Sequence, residues 1–196
     1  GSRYRMDAEM IRDQILATSG LLSSTMYGKS VKPPQPDGLW KAVTMIGERF
    51  RADKGEAIYR RSVYTFWRRT IPPPSMATFD APGRETCTAR RSRTNTPLQA
   101  LALLNEVTYV DAARGLARRM LREGGPRSQE RLAHGFRLAL AREPSVEELN
   151  VLLASLQRYR ELYRHDEKAA RALTTVGDGP SVDQADVYET AAYTAM

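Results

Sequence analysis

The stretch RETCTARRSRTNTPLQALALLN, Arg84 to Asn105, gathers Arg84, Glu85, Arg90, Arg91, Arg93 and the only cysteine, Cys87, just ahead of a leucine-rich run. With Asp80 before it and Asn95 inside it, this is the densest set of side chains in the chain that could do chemistry. A polar, arginine-rich loop over a helix N-terminus suits an anion, because guanidinium groups and unpaired backbone N–H groups converge on one negative charge. Two other uses stand beside that one. Asp80 and Glu85 can form buried ion pairs with Arg84 or Arg93 that fix the loop onto neighbouring helices. The same carboxylates can also act as acid and base in a site completed elsewhere, which requires perturbed proton affinities at a fixed separation. Cys87 is expected to be buried and closed to thiol reagents, although arginines nearby would favour its thiolate.

A second candidate surface lies in EAIYRRSVYTFWRRTIPPP. The pattern predicts a helix over Ala57 to Arg69, stopped by Pro72 to Pro74. Its apolar face would hold Ile58, Tyr59, Ser62, Val63, Phe66 and Trp67, with doublets at Arg60, Arg61 and at Arg68, Arg69. Aromatics interleaved with arginines bind anionic polymers by stacking and by phosphate or sulfate pairing. As a core helix, the same segment would only let its arginines snorkel to water. The candidate anion site is therefore Arg60, Arg61, Tyr64, Trp67 and Arg68 together with Asp80, Arg84, Glu85, Arg91, Arg93 and Asn95.

No catalytic residue is assigned. His134 and His165 show no metal-ligand spacing, one cysteine supports neither a disulfide nor a thiolate cluster, and no CxxCH is present to attach haem. No metal and no cofactor are expected in this fragment. The net charge of +7 would suit a polyanion, but 25 of the 30 basic residues are arginine, as arginine-rich codon usage alone would give, so nucleic acid is not the expected partner. No apolar run is long enough to span a bilayer and no signal peptide opens the sequence.

The elements that must position these residues read as helices. Hydrophobic residues at 41% and charged ones at 27% are ordinary globular proportions. Asp7 can cap a helix to about Leu22 with Met10, Ile11 and Ile15 on one face. Residues 23–56 lose periodicity, and Trp40 is expected to pin this Pro-rich segment onto the core, a ligand ring being the alternative. Thr96, Pro97 and Gln99 form a capping box, after which Leu98, Leu101 and Leu104 are expected to bury. A second amphipathic run through Tyr109, Ala113, Leu116, Met120 and Leu121 stops at Gly124-Gly125. Ser128 opens a helix with Leu132, Phe136, Ala139 and Leu140 inside. Ser145 and Glu148 cap another, striped by Leu149, Leu152, Leu153, Leu156, Tyr159 and Tyr163, and the two form a hairpin. ADVYETAAYTAM begins a last helix. The expected class is mainly α, an irregular helical bundle with long Pro-rich loops and no substantial sheet. Gly1-Ser2 reads as a cloning scar. Residues 3–196 are expected to form one α-helical domain trimmed from a larger protein, with 3–75 packing on 76–196.

RYRMDAEMIRDQILATSGLL, SVKPPQPDGLW, the block from YRRSVYTFWRRTIPPPSMATFDAPGRETC through RTNTPLQALALLNEVTYVDAARGLARRML, and GFRLALAREPSVEEL together resemble a planctomycete-specific domain of unknown function. That domain is found near the C-terminus of large secreted proteins, commonly after a cytochrome-c-like domain. The resemblance runs from Arg3 to Met196. It implies a periplasmic, secreted or cell-envelope location and neighbouring domains of the same polypeptide as partners. It transfers no catalytic residue and no haem. An extracytoplasmic home makes an anionic polysaccharide, sulfated or carboxylated, the sensible charged partner. The first expectation is a non-catalytic helical scaffold or interaction module. The alternatives are an anion- or sulfated-polysaccharide-binding module, and part of a hydrolase or oxidoreductase site completed by missing upstream domains.

Overall fold

The computed structural model describes residues 4–43, 49–181 and 187–196. Among them the architecture is mainly α, with three isolated β-bridges and no named strand. The chain divides into two compact units, Gly1–Leu16 with Leu22–Tyr109, and Ala17–Leu21 with Val110–Met196. The first holds 17 basic residues against 10 acidic ones and the second 13 of each, so the whole net charge of +7 belongs to the first unit.

In the first unit, α1 (Ala8–Ser19) begins immediately after Asp7, whose carbonyl accepts the Ile11 N–H at 2.9 Å. Ala8 and Ile11 join Met76, Phe79 and Tyr109 in a core to which Ile15, Trp67, Ala81 and Ala102 add half-buried surface. Met10, expected on the same face, is exposed. The Pro-rich segment carries α2 (Leu39–Val43), and Trp40 is buried there against Phe50 and Phe66.

The helix expected over Ala57 to Arg69 does not form. The segment folds into two 3-10 turns, Gly55–Tyr59 and Ser62–Tyr64, joined by extended backbone. Ser23 bridges Arg60 and Val31 bridges Thr65, both in parallel. The Ser23 N–H donates to the Tyr59 carbonyl at 3.0 Å, Val31 N–H to Tyr64 at 2.8 Å and Phe66 N–H to Val31 at 2.7 Å. A run of aromatic and β-branched residues has weak helix propensity, and these long-range partners satisfy its backbone better than its own i−4 carbonyls would. Ile58, Tyr59 and Ser62 are buried as expected, but Val63 is exposed.

Short α3 (Pro74–Thr78) packs on α4 (Pro97–Asn105). The capping box of α4 is present: Gln99 N–H donates to Thr96 Oγ1 at 3.4 Å, and the Thr96 N–H to Gln99 Oε1 at 3.3 Å. Burial of the leucine stripe is overturned. Leu98, Leu101 and Leu104 are 60%, 56% and 74% exposed, whereas Gln99 is 5% exposed. The helix is seated by its polar side, because the Gln99 amide donates to the Thr78 carbonyl at 3.0 Å and to Thr94 Oγ1 at 3.1 Å.

α5 (Val107–Glu123) opens in the first unit and supplies most of its length to the second. There α6 (Ser128–Leu140) and α7 (Val146–His165) form the expected hairpin, with the Ser145–Glu148 capping box in place. Ala117, Met120, Leu132, Leu156, Ala192 and Tyr193 make the core, and the α7 stripe packs against it. Leu140, expected inside, is exposed because the helix ends there, Ala141 turning left-handed at φ 55°. α8 (Glu167–Thr174) and α9 (Val187–Thr194) close the unit, Ala170 meeting Val187 and Ala191. The start of the expected last helix, at 185–186, lies outside the described residues.

Candidate functional site

The arginine loop is tied down chiefly by acids at the start of α1. Arg91 grips Glu9 through two hydrogen bonds, 2.7 and 3.2 Å, with Asp7 a further 3.7 Å away, and Arg93 stands 3.8 Å from Asp7. Burial pushes the Glu9 carboxyl upward, but the Arg91 hydrogen bond, the helix backbone and the charges of Arg91 and Arg84 outweigh it and hold Glu9 below its ordinary range. Asp80 sits in a left-handed conformation at φ 61°. It accepts the Thr94 N–H at 2.8 Å, the Thr94 hydroxyl at 3.0 Å and the Arg5 guanidinium. The Thr94 N–H, then its hydroxyl and the Arg5 charge, keep this carboxyl ionised below its usual range against some desolvation.

The expected partner of Asp80 is therefore replaced. Asp80 pairs with Arg5 rather than with Arg84 or Arg93. Arg84, also left-handed at φ 63°, lies 4.3 Å over the Trp67 ring, whose indole N–H donates to the Gly83 carbonyl at 3.4 Å. Glu85 and Asn95 are exposed. Cys87, expected to be inaccessible, is exposed as well: it stands in the turn-rich part of the loop with nothing folded over it.

The second group of arginines serves the backbone. Arg60 is buried and its guanidinium donates to the carbonyls of Lys29, Tyr27 and Thr25, with the Tyr64 ring 3.9 Å from its centre. The Tyr64 hydroxyl accepts the Tyr27 N–H at 2.8 Å. Arg61 stands 3.8 Å from Asp13, and Arg68 lies 5.1 Å from the centre of the Trp40 ring. The structure brings Trp67 to Arg84, but it gives Arg60 and Tyr64 a task of their own, clamping residues 25–29. Desolvated guanidinium groups satisfied by several carbonyls hold loops firmly, because removing them would leave those acceptors unpaired.

Sequence reasoning missed a buried polar centre between α1 and the start of α5. Arg12 donates to the carbonyls of Arg60 and Ile58 and to Ser62 Oγ. Glu106 caps α5, accepting the Tyr109 N–H at 3.1 Å and the Thr108 hydroxyl at 3.1 Å. Burial raises the proton affinity of Glu106 beyond what those hydrogen bonds and the Arg12 charge take back. Burial also lifts the Tyr109 phenol, reinforced by the Glu106 charge. The space bounded by Arg12, Gln35, Thr65, Glu106 and Thr108 is about 10 Å³, room for one water and no organic substrate. The centre therefore acts as a packing and capping device. The only signal in the sequence was an acidic residue just ahead of an amphipathic run.

Among the described residues no three His, Cys, Asp or Glu side chains are placed to hold a metal ion, and no helix is long and apolar enough to cross a membrane. The most unusual surface is the exposed side of α4, where Leu98, Leu101 and Leu104 recur at every third position.

Residues 1–156 match the PSD1 family, proteins of unknown function (DUF1553), and the chain belongs to that family. The match ends at 156, short of the Met196 reached by the resemblance seen in the sequence. No curated protein and no solved structure matches the chain.

Proposed function

We propose that this member of the PSD1 family is a non-catalytic helical interaction module of a larger extracytoplasmic polypeptide, and that it docks neighbouring domains of that polypeptide. The observation carrying this reading is the outward leucine face of α4. Apolar residues scattered over a surface need no explanation, but several large ones on one short helix, opposite a buried glutamine, mark a surface meant to be covered. Supporting it, three of the carboxylates near these segments are committed to structure: Asp80 to Thr94 and Arg5, Glu9 to Arg91, and Glu106 to a helix cap. The location rests on the family resemblance. The test is calorimetric titration of this chain with the separately produced upstream domains of the natural polypeptide. Binding that is lost in Leu101→Ser/Leu104→Ser supports the module; binding indifferent to that change, or none, ends it.

A second reading, an anionic-polysaccharide module, is favoured by the placing of the entire net charge in the first unit and by exposed Arg84 and Arg90. Such a ligand must compete with Asp7 and Glu9 for Arg91 and Arg93. A thermal-shift screen with sulfated glycans at low and physiological salt tests it, since a ligand of the folded state raises the melting temperature. A salt-sensitive rise lost in Arg84→Ser/Arg93→Ser would establish the site.

A further inference from the structure

We propose that the leucine face of α4 receives an acidic amphipathic helix. Its apolar stripe would cover Leu98, Leu101 and Leu104, and its carboxylates would meet the arginines of the segment that leads into α4. This rests on the interaction-module reading and names the partner's chemistry.

The leucines are not needed to seat α4. That is done by the Gln99 amide on Thr78 and Thr94, by half-buried Ala102 against the core and by packing on α3. Leucines at three-residue spacing form one ridge along the helix, rising about 9 Å from first to last at the usual 1.5 Å per residue. Such a ridge fits the groove of a second helix, and a partner helix anchored at i, i+3 and i+4 positions is a recurring way to cover it. Three leucines this exposed offer an apolar patch on the order of a few hundred Å², the size of a functional patch on a monomer but below one partner's share of a standard interface. A polar rim must therefore contribute to binding.

Charge decides the occupant. A second copy would set two units of net charge +7 against each other across a small interface, which like-charge juxtaposition disfavours. The segment that leads into the ridge is basic: Arg93 stands three residues before the Thr96 cap and exposed Arg90 six. Together with Arg91, Ser92, Tyr4 and Asp7 they line an open hollow. Arg91 is engaged by Glu9, whereas exposed Arg93 approaches Asp7 at 3.8 Å and lies 5.4 Å from the centre of the Tyr4 ring, contacts that leave it able to meet an incoming carboxylate.

The experiment uses two synthetic amphipathic helical peptides with the same leucine stripe, one flanked by glutamates and the other by lysines, read by fluorescence anisotropy on the whole chain. The glutamate peptide should bind at least about tenfold more tightly, with an advantage that shrinks as salt rises. Arg90→Ser/Arg93→Ser should remove that advantage. Leu101→Ser/Leu104→Ser should weaken binding about tenfold or more while leaving the melting temperature unchanged, which separates a lost contact from a lost fold. Equal binding of both peptides, with the leucine dependence kept, overturns the acidic occupant but not the docking face. Binding of neither peptide, or binding indifferent to the leucines, overturns this proposal, and the titration with upstream domains then judges the module reading separately. A dimer in analytical ultracentrifugation that disappears in the leucine variant would assign the face to a second copy and overturn the proposal as well.

Discussion

Gln99 and Leu101 stand two residues apart on α4 with their burial exchanged: the glutamine is 5% exposed and the leucine 56%. The exchange has a measurable consequence. Gln99→Leu leaves the Thr78 carbonyl and the Thr96 N–H without their partner, at a cost of about 1–3 kcal/mol. Leu101→Ser should stay within about 0.5 kcal/mol, as surface changes do. Urea denaturation of both variants checks this. A leucine change costlier than the glutamine change would mean that the α4 stripe is core.

Glu106 predicts a particular pH dependence. Its folded-state pKa is raised from 4.5 by burial, so above that pH the unfolded chain releases a proton that the folded chain keeps. Its contribution to stability therefore falls as pH rises from the ordinary carboxylate value through the folded one. Glu106→Gln retains an acceptor for the Tyr109 N–H and does not titrate. At acid pH, where Glu106 is protonated, glutamine is its near-isostere and the two proteins should be close in stability; as pH rises towards neutrality wild type should lose stability relative to the variant. Taking the difference between the two proteins removes the opposite slope contributed by carboxyls such as Glu9 and Asp80, whose pKa values are lowered. A gap that is constant across pH would refute the burial-driven shift.

Asp111 and Arg114 form a buried ion pair in the second unit, 2.5 Å apart, with Arg114 also donating to the Thr174 carbonyl at 2.8 Å and the Gly179 N–H donating to Asp111. Removing one partner should cost about 3–5 kcal/mol, whereas replacing both with apolar residues of similar size should cost far less. Gly177 belongs to the same device, since its φ is +81° and a Cβ there would lie 2.3 Å from the Asp111 carboxyl. Gly177→Ala is therefore expected to cost about 2 kcal/mol or more from the strained backbone and the clash. Thermal melts of Asp111→Ala and Gly177→Ala that overlay wild type would dispose of this lock.

Cys87 should react completely with a thiol reagent in the native protein, without denaturant, because it is exposed on the arginine loop. Protection until the protein is unfolded would show that the loop is covered in solution. Labelling that leaves the melting temperature unchanged is also expected, as the thiol supports no packing.

Local features were legible in the amino-acid sequence. The capping boxes at Thr96 and Ser145, the glycine stop after α5, the α6–α7 hairpin and the α7 stripe follow from side chains that act within a turn or two of their own backbone. A family resemblance was legible for the same reason, as it lies in contiguous residues. Tertiary structure decided which face of a helix turns inward and which partner a charge takes. YRRSVYTFW did not form a helix because its Tyr59 and Tyr64 carbonyls accept the N–H groups of Ser23 and Val31 and its Phe66 N–H donates to Val31, all tens of residues away, and α4 turned its leucines outward because Thr78 and Thr94 offered Gln99 better-satisfied bonds. Arg60, Arg91 and Asp80 were visible as charges, but Tyr27, Glu9 and Arg5, which engage them, lie 33, 82 and 75 positions away. Periodicity reports that a helix is two-faced; which face is buried depends on hydrogen-bond partners that only the folded chain brings within reach.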